Sequence, residues 1–163
     1  MFYILPIISC LILVGVDQFI KYLTITNFQN GGSVEVIQNF FYLTYVKNSG
    51  AAWGVLSGAR IFFIVATVVV LIAIAIYYVK MPRSKNTGLV RFALVLIVSG
   101  AIGNFLDRLL RDGGHVVDMF HLTFWGYYSF PVFNFADILI VTGAIFLGIV
   151  VIFCKNIELT TKK

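Results

Sequence analysis

Long stretches without a charged residue restrict how this chain can fold more than any other feature of its sequence. The clearest stretch, Ile61 to Val79, contains nineteen residues and no acidic or basic side chain. About 20 apolar residues in a helix cross the hydrocarbon core of a bilayer, and backbone groups in lipid must be hydrogen-bonded within their own segment. Across all 163 residues, 60% are hydrophobic and only 12% are charged. This composition excludes an ordinary soluble domain and predicts an integral membrane protein.

We predict four membrane-spanning helices, at about residues 2–24, 60–80, 89–110 and 132–154. The first apolar run lacks the basic residues that open a signal peptide and precedes further spans, so we expect it to be retained. Cys10 and Cys154 both lie in apolar runs and are expected to be unpaired, buried side chains. Residues 1–163 should form one membrane domain with no separate soluble part.

Two segments between the spans differ in character from the apolar runs. Residues 27–58 contain turn residues and two runs of β-forming residues, Val34–Ile37 and Phe40–Val46, which predict a small strand-rich excursion from the bilayer. Residues 111–131 carry Trp125, Tyr127 and Tyr128, and such aromatic residues are typical of a membrane interface. Both segments are predicted to lie on the same side of the membrane.

The basic residues predict the orientation, because cytoplasmic loops are enriched in Lys and Arg. Seven of the 12 basic residues flank the link between the second and third spans or follow the fourth, namely Lys80, Arg83, Lys85, Arg91, Lys155, Lys162 and Lys163. That side is predicted to be cytoplasmic, with both termini inside. The same distribution accounts for the net charge of +5 without a nucleic-acid partner.

In this topology four of the seven acidic residues gather at one depth. Asp17 and Asp107 lie near the outer ends of the first and third spans, Asp137 lies near the outer start of the fourth, and Asp118 lies in the outer segment between them. A charged residue within the membrane is costly and is therefore a candidate for function. Lys21 follows Asp17 by four residues, so the two can pair on one helix face.

Each span that carries an acidic residue also has a polar face with small residues beside it. Asn104 and Arg108 are four apart on the third span, and Asn134 precedes Asp137 by three on the fourth. Such stripes are expected to point into the bundle. Small residues allow helix backbones to approach closely, and here they are Gly100, Gly103, Ala136 and Gly143.

Asp118 and Asp137 are the candidate catalytic pair. Two carboxylates in a poorly solvated site cannot both ionise easily, so they share one proton. The ionised group can then take a proton from water while the protonated group polarises a carbonyl, which is the chemistry of peptide-bond hydrolysis. We expect no metal, because His115 and His121 both lie in the loop and no His or Cys pair has ligand spacing.

Five motifs in this order resemble those of the bacterial lipoprotein signal peptidases, the signal peptidase II family. They are Asp17-Gln18-x-x-Lys21, Asn48-x-Gly50-Ala51-Ala52-Trp53, Gly100-x-x-Gly103-Asn104-x-x-Asp107-Arg108, Val116-Val117-Asp118 and Phe130-Pro131-x-Phe133-Asn134-x-Ala136-Asp137. The resemblance covers nearly the whole chain. One departure is Lys47, where Arg is more usual, because Lys keeps the charge but loses the planar guanidinium.

The resemblance implies an intramembrane aspartyl endopeptidase without a cofactor, which removes the signal peptide from a diacylglyceryl-modified prolipoprotein by cleaving just before the lipidated cysteine. It places the catalytic dyad on Asp118 and Asp137. The implied fold is an all-α bundle of four transmembrane helices in the bacterial cytoplasmic membrane, with residues 27–58 forming a small extracytoplasmic β-cradle. The residues expected to support the site or bind substrate are Asn48, Gly50, Asn104, Arg108, Asn134, Ala136, Asp17, Lys21 and Asp107. Its partners would be the lipidated precursor and membrane lipids, and we expect a monomer.

Other interpretations stay open at this point. A small proton-coupled transporter also uses buried carboxylates, but it predicts polar residues through the full depth of the bilayer and an internal repeat. A non-enzymatic assembly or chaperone protein needs no paired acids. Asp17 and Lys21 can form a purely structural ion pair. We also expect the aromatic segment Phe120–Phe130 to act as a lid, because it is short, tethered at both ends and rich in interfacial rings.

Overall fold

Four long helices and one small antiparallel sheet form the computed structural model, which describes residues 3–50, 58–82, 85–125 and 127–153. The helices are α1 (Ile4–Phe28), α2 (Arg60–Lys80), α3 (Lys85–Leu110) and α4 (Phe135–Phe153). The strands are β1 (Val34–Ile37), β2 (Phe41–Asn48), β3 (Val116–Phe124) and β4 (Tyr128–Ser129). All four helices are long and apolar enough to cross a membrane, which confirms the predicted number of spans.

The helix ends differ from the predicted bounds by a few residues. α1 continues to Phe28 instead of ending near residue 24, and α3 begins at Lys85 instead of residue 89. α4 begins at Phe135, three residues after its predicted start, because Asn134 accepts a hydrogen bond from the first turn and so marks the helix start. Some expectations concern residues outside the described ranges, namely those for Ala51–Trp53, Arg83, Cys154 and the lysines of the tail.

The sheet unites the two segments that lie between the spans. Its strand order is β1-β2-β3-β4, and β2 pairs with β3 over a register that includes Val46 with Asp118 and Asn48 with Val116. The strand at Val34–Ile37 is confirmed, and the second predicted strand extends to Asn48. Phe120–Phe124, the first part of the expected lid, lies in β3 and is paired with β2, so it is not a free segment.

Close packing between α3 and α4 depends on glycine, as the small residues of the sequence predict. A Cβ atom at Gly100 would overlap the Ala136 carbonyl oxygen, and one at Gly143 would lie 2.9 Å from the Ala93 carbonyl oxygen. A larger side chain at either position would therefore push the two helices apart. This close approach brings the start of α4 against the C-terminal half of α3, where the polar residues lie.

The two ends of the helix bundle are unlike each other. One end contains the buried apolar cluster of Met81, Val90, Leu94 and Val150, and Arg91 is buried at the same end of α3. The other end holds buried charged residues of α1 and α3, including Asp17, Lys21 and Asp107, next to the sheet. The side chains that face outward along the helices are mostly apolar, as expected for a protein surrounded by lipid.

Candidate active site

The first turn of α4 fixes the position of Asp137. The backbone N–H of Asn134 donates to Asp137 Oδ2 at 3.1 Å, and the backbone N–H of Asp137 donates to Asn134 Oδ1 at 3.0 Å. This reciprocal arrangement is a capping box, which satisfies N–H groups that a helix start leaves without partners. The helix dipole also favours a negative charge there. The short sequence Asn-x-x-Asp therefore both starts the helix and holds its carboxylate.

Asp118 lies on an inner strand of the sheet, and its side chain points to the start of α4. It lies on β3 with only 1% of its surface exposed. Its Oδ1 accepts a hydrogen bond from Asn134 Nδ2 at 2.6 Å, and its Oδ2 accepts one from Asn48 Nδ2 at 2.8 Å. Asn48 lies on β2 opposite Val116, so Asn48 and Asp118 are diagonal neighbours on one face of the sheet.

One amide side chain therefore joins the two carboxylates, since Asn134 bonds to both. Burial and, to a smaller extent, the nearby Asp137 carboxylate raise the pKa of Asp118 to about 7, against the opposite effect of the hydrogen bonds from Asn48 and Asn134. A carboxyl group with this pKa keeps its proton close to neutral pH.

Asn104 connects Asp137 to a buried lysine. Its Nδ2 donates to Asp137 Oδ1 at 2.8 Å, and its Oδ1 accepts hydrogen bonds from Lys21 Nζ and Asn134 Nδ2, both at 3.0 Å. An ammonium group can only donate. The two donors at the oxygen thus fix the orientation of the Asn104 amide, so that its nitrogen faces the carboxylate.

Behind Asn104 lies a buried ion cluster centred on Lys21. Lys21 Nζ lies 2.8 Å from Asp17 Oδ2 and 3.0 Å from Asp107 Oδ2, and all three side chains are fully buried. Asp17 Oδ1 also accepts the backbone N–H of Ala136 at 3.0 Å, and Asp107 Oδ2 accepts that of Val117 at 3.1 Å. The predicted pairing of Asp17 with Lys21 is confirmed. The cluster ties α1 and α3 to the start of α4 and to β3.

Arg108 and its neighbours form the side of the site next to α2. Arg108 donates to the Gly50 carbonyl at 3.1 Å, and its guanidinium lies 4.5 Å from the centre of the Phe63 ring. Arg60, at the start of α2, donates to the carbonyls of Arg108 at 2.7 Å and Leu109 at 3.0 Å. A cation is favourable at a helix C-terminus, so Arg60 caps α3 at the residue that faces the site.

Both candidate aspartates line a cavity of about 540 Å³. Its polar lining is Asn48, Gly50, Asn104, Arg108, Asp118 and Asp137, and the rest of its wall is Val116, Phe130, Pro131, Val132, Phe133, Ile138, Val141 and Thr142. A few polar groups within a mostly apolar wall are typical of a ligand pocket. The arrangement can bind an apolar molecule and present one polar group of it to two carboxyls.

Six of the residues singled out in the sequence thus share one cavity wall, and the other five lie behind it. Asn134 and Ala136 act at the start of α4, while Asp17, Lys21 and Asp107 form the ion cluster. The sequence analysis did not single out Arg60, nor the wall residues Val132, Ile138, Val141 and Thr142. Arg60 opens an apolar span, and a lone cation at such a position is a weak sequence signal for a partner on another helix.

The fold and the site together define a class of multi-pass bacterial membrane enzymes. Two solved structures, each described as a bacterial membrane enzyme, match the chain with TM-scores of 0.80 and 0.79 and 37% identity. The matches cover 90% and 92% of this chain and 87% and 94% of the other chains.

The family follows from sequence comparison. A model described as signal peptidase (SPase) II matches residues 9–153. A lipoprotein signal peptidase of Bacillus pumilus is 44% identical over 87% of this chain and 88% of its own. One of Caldanaerobacter subterraneus subsp. tengcongensis is 44% identical over 94% of this chain and 100% of its own, and one of Clostridium acetobutylicum is 41% identical over 84% and 86%.

The chain belongs to the signal peptidase II family. It is therefore a peptidase, and its family membership supports a function in the cleavage of lipoprotein signal peptides. The resemblance stated from the five motifs is confirmed. The enzyme class also decides between the alternatives, since a transporter or a non-enzymatic assembly protein is not expected in this family.

Proposed function

We propose that the chain is an intramembrane aspartyl endopeptidase that uses Asp118 and Asp137 to cleave a diacylglyceryl-modified prolipoprotein just before its lipidated cysteine. The observation that supports this proposal is that both carboxylates line one cavity and are joined through Asn134. They come from a strand and a helix of different segments, so only the folded chain brings them together.

In the proposed reaction the pair holds one proton and one negative charge. The ionised carboxylate removes a proton from a water molecule as the water oxygen attacks the scissile carbonyl, and the protonated carboxyl donates its proton to the carbonyl oxygen. When the tetrahedral gem-diol intermediate collapses, the C–N bond breaks and the leaving nitrogen receives the proton of the pair, while one hydroxyl of the intermediate returns its proton to the pair as the carbonyl re-forms. The dyad is left with one proton, as it began.

Three asparagines hold the pair for this chemistry. Each of the four carboxylate oxygens accepts a hydrogen bond from an asparagine, through the side chains of Asn48, Asn104 and Asn134 and the backbone N–H of Asn134. A carboxylate oxygen has two lone-pair sites, so each retains one for water or substrate. Because the donors are neutral, they fix the geometry without neutralising the negative charge.

The apolar part of the cavity wall suits the lipid of the substrate. Phe130, Phe133, Ile138 and Val141 lie beside the aspartates, so an acyl-modified cysteine could rest there while its peptide bond faces the dyad. We place this end of the bundle and the sheet on the outer face of the cytoplasmic membrane, with both termini inside, on the basic-residue distribution. The lid role is proposed for the aromatic segment Phe120–Phe130, within which Tyr128–Ser129 forms β4 and pairs with Thr123 and Phe124 of β3.

The proposal is tested by incubating the purified protein in detergent with a diacylglyceryl-modified precursor and, separately, with the same precursor unlipidated. Mass spectrometry of the products identifies the cleaved bond. We expect a cut immediately before the modified cysteine in the lipidated precursor only. A cut at another bond, or equal cleavage of the unlipidated precursor, would contradict the proposed specificity.

A further inference from the structure

A second cavity lies between α1, α2 and α3, away from the aspartates. Its volume is about 520 Å³, and it shares no lining residue with the candidate active site. Its wall is almost entirely apolar and includes Ile7, Leu11, Leu71, Ile74, Val95 and Val98. We call this cavity the α1–α3 groove. It lies toward the end of the bundle that holds the buried cluster around Met81 and Val90.

The groove exists because α2 stands apart from the rest of the bundle. α2 packs mainly against α3, and none of its described residues is buried. The ring of Tyr3, just before α1, meets that of Tyr78 at 6.4 Å between ring centres. Apart from this ring contact, α1 and α2 have few direct contacts, and the groove lies between them along the surface of α3.

The length of the groove indicates which part of a lipid it can hold. Its lining runs over residues 3–11, 71–79 and 94–102, and eight steps along a helix span about 12 Å. Half of the ~30 Å hydrocarbon core is about 15 Å, so the groove lies within one leaflet. The wall is almost entirely apolar along this length, so the groove matches a hydrocarbon chain confined to one leaflet.

The described wall of the groove includes one polar atom without a partner, the Tyr78 hydroxyl oxygen. In the described part of the chain, the Tyr78 hydroxyl is buried without a hydrogen-bond partner, and Tyr78 lines the groove. A buried hydroxyl without a partner is unfavourable. Tyr78 lies two residues before the end of α2, so we expect its hydroxyl near the depth at which the ester groups of a lipid begin. An ester carbonyl there could accept the hydroxyl proton.

Two basic residues, Lys80 and Arg91, lie at the same end of the groove. Lys80 is exposed at the last position of α2. The Arg91 guanidinium lies 4.4 Å from the centre of the Tyr78 ring and donates to the backbone carbonyls of Tyr78 and Met81. Basic groups at the membrane surface attract anionic headgroups, and a long lysine side chain can extend along the lipid to reach one.

We propose that the α1–α3 groove binds an acyl chain of an anionic glycerophospholipid. The chain fills the space between α1 and α2, an ester carbonyl accepts a hydrogen bond from the Tyr78 hydroxyl, and the phosphate lies near Lys80. The bound lipid then serves as packing between two helices that touch little directly. This site needs no catalytic residue, so it stands whether or not the proposed cleavage reaction does.

The test uses two preparations of bilayer discs, both made of phosphatidylglycerol and phosphatidylcholine. Phosphatidylglycerol carries a photoactivatable group at mid-chain in one preparation, and phosphatidylcholine carries it in the other. After irradiation, mass spectrometry locates the labelled peptides. We expect labelling concentrated on Leu71–Val79 and stronger from phosphatidylglycerol, by about fivefold for one basic side chain near the headgroup. Equal labelling from the two lipids would overturn the proposal.

Two variants separate a bound lipid from the surrounding bilayer. Ala75 lines the groove, whereas Ala73 on the same helix does not. Ala75→Phe should remove most of the labelling, and Ala73→Phe, which adds the same volume, should leave it unchanged. Tyr78→Phe is a smaller change that should weaken the labelling without filling the groove. Circular dichroism checks that each variant folds. Undiminished labelling in Ala75→Phe would overturn the proposal. A cross-link between two copies of the chain through Cys10 would also overturn it, because Cys10 lines the groove and a second copy would then occupy it.

Discussion

Asn134 and Asp137 cap each other at the start of α4, with 3.1 Å from Asn134 N to Asp137 Oδ2 and 3.0 Å from Asp137 N to Asn134 Oδ1. The Asn134 amide nitrogen also lies 2.6 Å from Asp118 Oδ1 and 3.0 Å from Asn104 Oδ1. A single side chain thus starts the helix and connects both candidate catalytic carboxyls. Serine could supply the cap but has no amide group to make the connection, so these two tasks can be separated.

Asn134→Ser should keep much of the stability and lose much of the activity. A serine hydroxyl is a good N-cap acceptor, whereas Asn134→Ala removes the cap and should lower the free energy of unfolding by about 0.5–2 kcal/mol. Both variants lack the donor to Asp118. We expect both to lower kcat for the lipidated precursor, while only the alanine variant shows the full loss of thermal stability. Wild-type kcat in Asn134→Ser would show that the link between the carboxyls is not needed.

Lys21 should affect both stability and the site, and a double variant distinguishes the two effects. Lys21→Met leaves Asp17 and Asp107 buried without their shared cation, and breaking a buried ion pair costs about 3–5 kcal/mol. Adding Asp107→Asn removes one of the two charges and should restore part of the stability. It does not restore the donor that orients Asn104 toward Asp137.

We therefore expect the double variant to melt at a higher temperature than Lys21→Met and still to have a low kcat. Both quantities can be measured on the same detergent-purified samples. If kcat recovers together with stability, Lys21 has only a structural role, and the orientation of Asn104 does not depend on it.

The pKa of Asp118 sets the alkaline limit of activity. Burial and the Asp137 charge raise this pKa to about 7, and the hydrogen bond from Asn48 opposes the rise. As pH increases through this value the pair loses its single proton, so kcat/KM should fall with a midpoint near pH 7. The folded chain holds this proton more tightly than the unfolded chain. The contribution of Asp118 to stability is therefore full below about pH 4 and is lost as pH rises toward 7.

Asn48→Ala tests the sign of this effect. The Asn48 amide donates to Asp118 and stabilises its ionised form, so its removal should raise the pKa of Asp118 and move the alkaline limb to higher pH. Asp137, Lys21 and Arg108 remain as the charged groups around Asp118 in the variant. The readout is the midpoint of the kcat/KM profile and not its height. If the alkaline fall of kcat/KM in Asn48→Ala has the wild-type midpoint or a lower one, the assignment of this titration to Asp118 is contradicted.

The sequence predicted the membrane helices and most of the polar site because each rests on local or nearly local information. A run such as Ile61–Val79 predicts a helix long and apolar enough to cross a membrane, and the spacing of Asp17 and Lys21 brings them together on any helix. The common depth of the acidic residues follows from the number of spans alone. The strand Val34–Ile37 was also correctly placed.

The pairing of β3 with β2 could not be predicted in the same way. Val116–Phe124 combines apolar, acidic and aromatic residues without a clear alternation, and its partner strand lies about 70 residues earlier in the chain. The partners of Asp107 were missed for a related reason, since Lys21, Arg111 and the Val117 backbone meet it only in the folded bundle. Contacts of this kind depend on helix packing and strand register, which no single segment specifies.

Cleavage of the lipidated precursor by Asp118→Asn and Asp137→Asn tests the two-aspartate dyad most directly. Asparagine keeps the size and the ability to hydrogen-bond but cannot share the proton, and loss of a general acid or base lowers the rate by about 10²–10⁴-fold. Asp112→Asn is the matched control, because Asp112 is exposed outside the cavity. We expect each dyad variant to insert, fold and lose cleavage while the control retains it. Near wild-type cleavage by either folded dyad variant would contradict the proposed mechanism.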